Sequence, residues 1–285
     1  MEDLQKFNFS KYSIDEIEEK LLHEEQADCP VIHKFSPGLY IRELHAYKGT
    51  LIIGHEQKLP HFNVMLKGKV LWINENGDNE ELIAPLSFTA KPGRKVGYIL
   101  EDMIWQNIYP TNEIDINKLE ETYLNKSDNW KYNNKLLYDM KKLKNIEDQD
   151  DFELMVKETG FSKEEIRKVS ENIEDQIEII LNETKVKIDS STIEGNGIFA
   201  TCLLLENELI APARINGFRT QLGRYTNHSK NPNARFINVD GNIFLFANRN
   251  INGCKGGENG EEITVDYRQA ILESNKFVKE VLCLE

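Results

Sequence analysis

The sequence predicts a mixed α+β fold with three successive textures. Short apolar runs punctuated by turn residues fill 31–111. Apolar spacings of three and four, without strand texture, fill 112–183. Short strand-like runs and a hairpin signal then occupy 184–268. A capped helix lies in the opening 1–30, and a helix-like tail, 269–285, ends the chain. A length of 285 residues suits about two domains.

Ser13-Ile14-Asp15-Glu16 has capping-box spacing. Ile14, Ile17, Leu21 and Leu22 follow at helical intervals, which predicts a helix over 13–24. Pro30 and Pro37-Gly38 end that texture. The segment reads as an arm packed on the next domain.

In 31–111 the runs are Leu51–Ile53, Asn63–Leu66, Val70–Ile73, Leu82–Ala84 and Phe88–Ala90. Gly54, Lys67-Gly68-Lys69, Asn76-Gly77-Asp78, Pro85 and Pro92-Gly93 separate them. Such spacing predicts a sandwich or barrel. The order His55-x-Gln57-x-x-x-His61, then Gly68, Ala84-Pro85 and Pro92-Gly93, resembles the cupins. The lead-in Pro37-Gly38-Leu39-Tyr40-Ile41-Arg42-Glu43 resembles that of small phage cupin-like proteins. In cupins two His and a Glu of a first motif and a His of a second commonly share a metal. Here Gln57 replaces the second His, His61 stands at the Glu position, and no His follows Pro92-Gly93. Two imidazoles make a weak transition-metal site, so no metal is expected.

In 112–183, Ile116, Leu119, Tyr123 and Leu124 trace one helical face, and Leu136, Leu137, Met140 and Leu143 another. Asn145–Asp151 reads as an acidic break. After the helix start Ser162-Lys163-Glu164-Glu165, Ile166, Val169, Ile173, Ile177 and Ile180 predict an amphipathic helix of about five turns. Packing is the expected role.

The third texture carries the chemistry. It opens with Ile193-Glu194-Gly195-Asn196-Gly197-Ile198-Phe199-Ala200, a tight turn into a strand. Next comes Arg224-Tyr225-Thr226-Asn227-His228-Ser229-Lys230-Asn231-Pro232-Asn233. Asp240-Gly241 joins two strand runs as a hairpin. Gly260-Glu261-Glu262-Ile263-Thr264-Val265-Asp266-Tyr267 closes the series. These three pieces, in this order over roughly 184–268, resemble the SET-domain protein methyltransferases. The resemblance implies S-adenosylmethionine as cofactor. It places Gly195, Asn196 and Gly197 against that cofactor through main-chain groups, with Arg224, Tyr225, Asn227 and His228 as the second cofactor motif. Asn227 would serve the methionine ammonium region and the His228 backbone the adenine edge. Tyr267 would be the catalytic tyrosine. The sequence departs from the family in a short 211–223 segment and in a glycine-rich Asn252–Asn259 stretch, expected to be mobile. It also lacks a zinc-binding cysteine set after Tyr267, where Phe277 could supply an aromatic lid.

The formal charge of −13 disfavours a nucleic-acid backbone and suits a basic protein. Cys29, Cys202, Cys254 and Cys283 show no CxxC spacing and read as free thiols of a reducing compartment. No apolar run nears the roughly 20 residues that span a bilayer, and the acidic Met1-Glu2-Asp3-Leu4 start is not expected to act as a signal peptide. A cytoplasmic location is expected, in a bacterium or host cell or on a virion. The expected function is S-adenosylmethionine-dependent lysine methylation of a protein, with a cupin-like accessory domain. That domain would serve homo-oligomers or virion partners. The alternative is a non-catalytic structural or binding protein, such as a phage virion component. A third reading is a cupin enzyme or sugar-binding module with a regulatory SET domain.

Overall fold

The computed structural model describes residues 12–73, 79–160, 162–170 and 172–270. The Asn76-Gly77-Asp78 turn, Phe277, Cys283 and most of the expected 269–285 helix lie outside them. The described chain is mostly β, with six α-helices. It divides into two compact units, Met1–Leu137 with Lys255–Glu258, and Tyr138–Cys254 with Asn259–Glu285.

In the first unit, α1 (Ile14–Leu21) has the expected reciprocal box. The Ser13 hydroxyl accepts from the Glu16 N–H, and the Glu16 carboxylate accepts from the Ser13 N–H at 2.8 Å. The helix buries Ile17. Eight strands follow: β1 (Val31–Ser36), β2 (Leu39–Ala46), β3 (Leu51–Ile53), β4 (Glu56–Gln57), β5 (His61–Ile73), β6 (Asn79–Ile83), β7 (Leu86–Ala90) and β8 (Val96–Pro110). The central order is β1-β2-β8-β5-β6, with β3 on β8 and β7 on β5. The sheet is open, whereas turn spacing alone predicts a barrel or sandwich. The long strands explain the difference. β5 pairs with β7 through His61–Met65 and with β6 through Lys69–Ile73, so both short strands lie on one side of it. Among the described residues no pairing joins them back to β1.

Gly68 allows the bend between these two halves. The β5–β8 register shifts on either side of it, its φ is +95°, and a Cβ there would lie 2.4 Å from the Asp102 carbonyl oxygen. Gly68→Ala should cost about 2–5 kcal/mol, adding a left-handed backbone penalty to overpacking against backbone. At Gly49, φ is +90° but a Cβ meets nothing within 4 Å. Gly49→Ala should therefore show only the backbone part, about 1–2 kcal/mol. Denaturant unfolding of the two variants checks the pair; equal losses would contradict the close approach at Gly68.

α2 (Ile116–Tyr123) buries Leu119 and Tyr123 beside Tyr40 and Tyr109. β9 (Leu124–Asn125) follows and pairs with β4, so Leu124 leaves the predicted helical face. Part of the glycine-rich stretch, Lys255–Glu258, belongs to this unit. The Gly256 N–H donates to the Ala27 carbonyl at 3.0 Å, and Lys255 bridges to Asp28.

In 128–182 the structure corrects two expectations. The break is confined to Asn145, where α3 (Asp128–Lys144) ends and α4 (Ile146–Thr159) begins at once, so the acidic run itself is helical. Acidic residues suit the first turn of a helix. The predicted five-turn helix stops at Ser170, as α5 (Lys163–Ser170). Asn172 then caps a 3-10 turn, Ile173–Asp175, and β10 (Gln176–Ile177) pairs in parallel with Arg219 and Thr220. Strand pairing overrides the helical period, and Ile173 is left exposed.

The remaining strands are β11 (Glu183–Thr184), β12 (Val186–Ser190), β13 (Asn196–Ala200), β14 (Leu209–Ile215), β15 (Phe218–Thr220), β16 (Asn227–His228), β17 (Ala234–Val239), β18 (Asn242–Ala247) and β19 (Glu262–Val265), with α6 (Gln221–Arg224) after β15. Of these, β12–β19 together with β10 form two sheets, β10-β15-β14-β18-β17 and β12-β13-β19-β16. One apolar core, including Ile198, Leu245, Ile251 and Ile263, serves both. The β17–β18 hairpin turns through Asp240 and Gly241, both at positive φ, as the sequence predicts. The short 211–223 segment is itself a hairpin with one helical turn.

Candidate functional site

The site in the second unit is built where β16 runs in parallel beside β19, pairing Asn227 with Thr264 and His228 with Val265. β13 flanks the other side of β19. The two glycines entering β13 serve different needs. Gly195 has φ +53°, and a Cβ there would meet nothing within 4 Å, so the turn is open. Gly197 lies so near Glu262 that a Cβ would fall 2.3 Å from Oε1.

Asn227 ties these parts together. Its Nδ2 lies 3.1 Å from the carbonyl oxygens of Glu194 and Asn196 and 2.8 Å from Glu262 Oε1. Its Oδ1 accepts no hydrogen bond among the described residues. The Glu262 carboxylate also accepts from Ser191 Oγ at 2.7 Å. Burial pushes the Glu262 carboxyl upward, against the pull of the Asn227 and Ser191 hydrogen bonds. Asn233 buckles the next segment down: its Nδ2 donates to the Glu262 carbonyl at 2.8 Å, and its Oδ1 accepts from the Thr264 N–H at 2.9 Å.

His228 is 3% exposed, and both ring nitrogens are engaged. Nδ1 accepts the Tyr267 backbone N–H at 3.2 Å, so Nε2 carries the proton and donates to Asp151 at 2.9 Å. This arrangement orients a ring; it leaves no lone pair for proton abstraction. The Tyr267 hydroxyl donates to the Thr226 carbonyl at 3.0 Å. Burial, and then the charge of Glu262, raise the phenol to about 12. Phe152 meets the Tyr267 ring edge-on, with centroids 6.1 Å apart.

The structure thus brings Gly195, Asn196, Gly197 and Asn227 into one cluster and His228 and Tyr267 into direct contact. Arg224 and Tyr225 pair with each other, the guanidinium 5.2 Å from the ring centroid, and Arg224 also donates to Gln176. Sequence reasoning missed Ser191, Glu262 and the whole contribution of α4. From that helix, Asp148 accepts from Ser229 Oγ and the Lys230 N–H, both at 2.9 Å, while Asp151 receives His228. The acidic run before Phe152 was the available signal.

The family model for the SET domain matches residues 16–268. The chain belongs to the SET-domain family. Among solved structures, it is similar to an HTH_3 family transcriptional regulator from Vibrio cholerae, at 16% identity and a TM-score of 0.25, covering 33% of this chain and 60% of that one. The chain therefore spans less than two thirds of that regulator. It is also similar to an RmlC-like cupin family protein with a double-stranded β-helix fold from Methanocaldococcus jannaschii, at 11% identity and a TM-score of 0.26, covering 33% and 88%. A cupin domain from Bordetella pertussis Tohama I is similar at 13% identity and a TM-score of 0.26, covering 30% and 97%. No curated protein matches the chain. Among the described residues no helix is long and apolar enough to cross a membrane, and no group of three or more His, Cys, Asp or Glu could hold a metal.

Asp151 is the hub between α4 and the SET motifs. Arg268 reaches it at 2.8 Å and, with His228, holds its carboxyl below the ordinary value of 3.8. A depressed carboxyl stabilises the fold above the unfolded pKa and loses that contribution as pH falls through the folded one. Asp151→Asn should therefore cost about 1–3 kcal/mol at neutral pH. The gap from wild type should close as pH falls below 3.8. Thermal unfolding across pH tests this, and a gap constant with pH would refute it.

Proposed function

We propose that the second unit transfers a methyl group from S-adenosylmethionine to a lysine side chain of a protein. The observation carrying this reading is Tyr267: a buried hydroxyl, fixed by one carbonyl, beside the Asn227-His228 pair. The residues present fit the cofactor. Asn227 Oδ1 and the Glu194 and Asn196 carbonyls are acceptors suited to an ammonium group, beside the open turn at Gly195. Bound S-adenosylmethionine would supply an electrophilic methyl on a sulfonium sulfur.

Tyr267 stays protonated at neutral pH, since its phenol lies at about 12. It donates its proton to Thr226, which leaves oxygen lone pairs to orient the amine and accept weak contacts from a polarised methyl. Neither His228 nor Glu262 is free to act as base, because both are held by hydrogen bonds. The lysine must lose its proton to solvent before transfer. Tyr267 then contributes alignment, which is the main requirement of an in-line displacement. The acidic chain, at −13, favours a lysine-bearing partner.

The test is calorimetric titration with S-adenosylmethionine, followed by transfer of a labelled methyl to a lysine-rich protein mixture. Binding together with label on lysine supports the reading. Absence of both ends it, in favour of a non-catalytic scaffold.

A further inference from the structure

Tyr267 lies beyond β19, which ends at Val265, so no strand ladder holds its backbone. It stands instead at the start of a helical turn, in which the Ala270 N–H donates to the Asp266 carbonyl at 3.2 Å. The first N–H groups of such a turn have no partner within it and must be answered by other groups. For Arg268 the partner is the Asp266 carboxylate, at 3.0 Å. For Tyr267 it is His228 Nδ1, at 3.2 Å. Side chains, not a sheet, therefore fix the backbone that carries the Tyr267 hydroxyl.

One carboxylate ties those side chains together. Asp151 Oδ2 lies 2.9 Å from His228 Nε2 and 2.8 Å from Arg268 Nη1, and Oδ1 lies 3.3 Å from Arg268 Nη2. Arg268 follows Tyr267 in the chain, so the contacts close a ring: the Tyr267 N–H, the imidazole, Asp151, Arg268 and back to Tyr267. The ring depends on one tautomer. Nδ1 can receive the Tyr267 N–H only while the proton sits on Nε2, and an ionised carboxylate facing Nε2 selects that form. The other carboxylate near the ring, Asp266, lies 3.9 Å from Nδ1 and already takes the Arg268 N–H. Glu158, on the same helix as Asp151, accepts from Arg268 Nε at 3.0 Å and steadies the guanidinium. Phe152, the next residue of α4, meets the Tyr267 ring edge-on at 6.1 Å. Backbone and ring of Tyr267 are thus both supported from α4, which lies outside the stretch that carries the three motifs.

We propose that Asp151 is a positioning residue for Tyr267, acting through His228 on one side and Arg268 on the other. As a step in methyl transfer this rests on the reading above. A displacement of about 1 Å at a reacting group costs on the order of 100-fold in rate, so loosening this ring should show in kcat. The full-length protein is compared with Asp151→Leu, which can accept nothing, and with Asp151→Asn, which keeps an acceptor for His228 and loses the charge. Amide hydrogen exchange and imidazole nitrogen NMR read the geometry, and kcat, KM and cofactor Kd read the consequence. In wild type His228 should carry its proton on Nε2. Asp151→Leu should speed exchange of the Tyr267 amide about tenfold or more. The Thr264 amide, held by Asn233 Oδ1 at 2.9 Å, should stay within about threefold. The same variant should lower kcat about 30-fold, with KM and cofactor Kd within about threefold. Asp151→Asn should recover part of that loss. Ile243→Ala, a change in the buried core away from these groups, should leave kcat within about threefold although it destabilises the unit. A proton on Nδ1 in wild type overturns the proposal. So does Tyr267 exchange that stays at the wild-type rate in Asp151→Leu, or a loss of kcat in Ile243→Ala as large as in Asp151→Leu. If Asp151→Leu does not fold, Arg268→Gln takes its place: it opens one side of the ring and should speed Tyr267 exchange and lower kcat about fivefold, and wild-type values of both refute the role. A wild type that transfers no methyl ends the methyl-transfer reading, and Tyr267 exchange still decides whether Asp151 holds that residue in place.

Discussion

Tyr267→Phe is expected to lower kcat on the order of 100-fold while leaving S-adenosylmethionine affinity within about a factor of three. The substitution keeps the ring, and with it the edge contact to Phe152 and the 5.3 Å approach to His228. It deletes only the hydroxyl and its bond to the Thr226 carbonyl. That carbonyl loses one partner in a buried place, so a stability loss of about 1 kcal/mol should accompany the change. The fall in kcat would be much larger than such a loss explains at temperatures where both proteins are folded. KM for the lysine substrate should move little, since alignment is a transition-state property. With the phenol near 12, the wild-type rate should rise with pH through the neutral range as substrate amines lose their protons, and the tyrosine should impose no break there. A variant with unchanged kcat would leave Tyr267 as a packing residue.

The parts of the site legible in the sequence are those whose chemistry is local. The Gly195–Gly197 turn, the Asn227-His228-Ser229 run and Tyr267 each need a particular residue for a backbone or hydrogen-bonding reason, and that need shows as a motif. The partners that hold them were not legible. His228 meets Asp151 across 77 positions and Ser229 meets Asp148 across 81. Nothing in an acidic run says which residue it will face. The helical period from Ile166 to Ile180 was real as a pattern and still misleading, because Ile177 finds a strand partner in Thr220. In the first unit, strand texture was readable but closure was not, since bending depends on where one glycine lets the ladder slip. Arg42, Asn63 and His61 sit on different strands or different rows, and only register shows that they share a face.

Asn227→Ala should weaken S-adenosylmethionine binding by about 5- to 150-fold, the cost of about 1–3 kcal/mol for a lost buried polar partner. The same change should destabilise the second unit by a similar amount, because Nδ2 holds the Glu194 and Asn196 carbonyls and the Glu262 carboxylate. Two effects of one side chain must therefore be separated. Ser191→Ala provides the comparison. It removes the other donor to Glu262 and the acceptor of the Ile193 N–H at 2.9 Å, and it keeps the backbone bond from the Ser191 N–H to the Gly195 carbonyl at 2.8 Å. Ser191→Ala should cost stability and leave affinity nearly unchanged. Asn227→Asp should be worse than alanine in stability at neutral pH, since it sets a second carboxylate against Glu262, whose own charge is already disfavoured by burial. Lowering the pH should relieve that variant as one of the two carboxyls takes a proton. If Asn227→Ala and Ser191→Ala lose the same stability and neither loses affinity, Asn227 bolts the turn to β19 without touching the cofactor, and the acceptor role assigned to its Oδ1 fails.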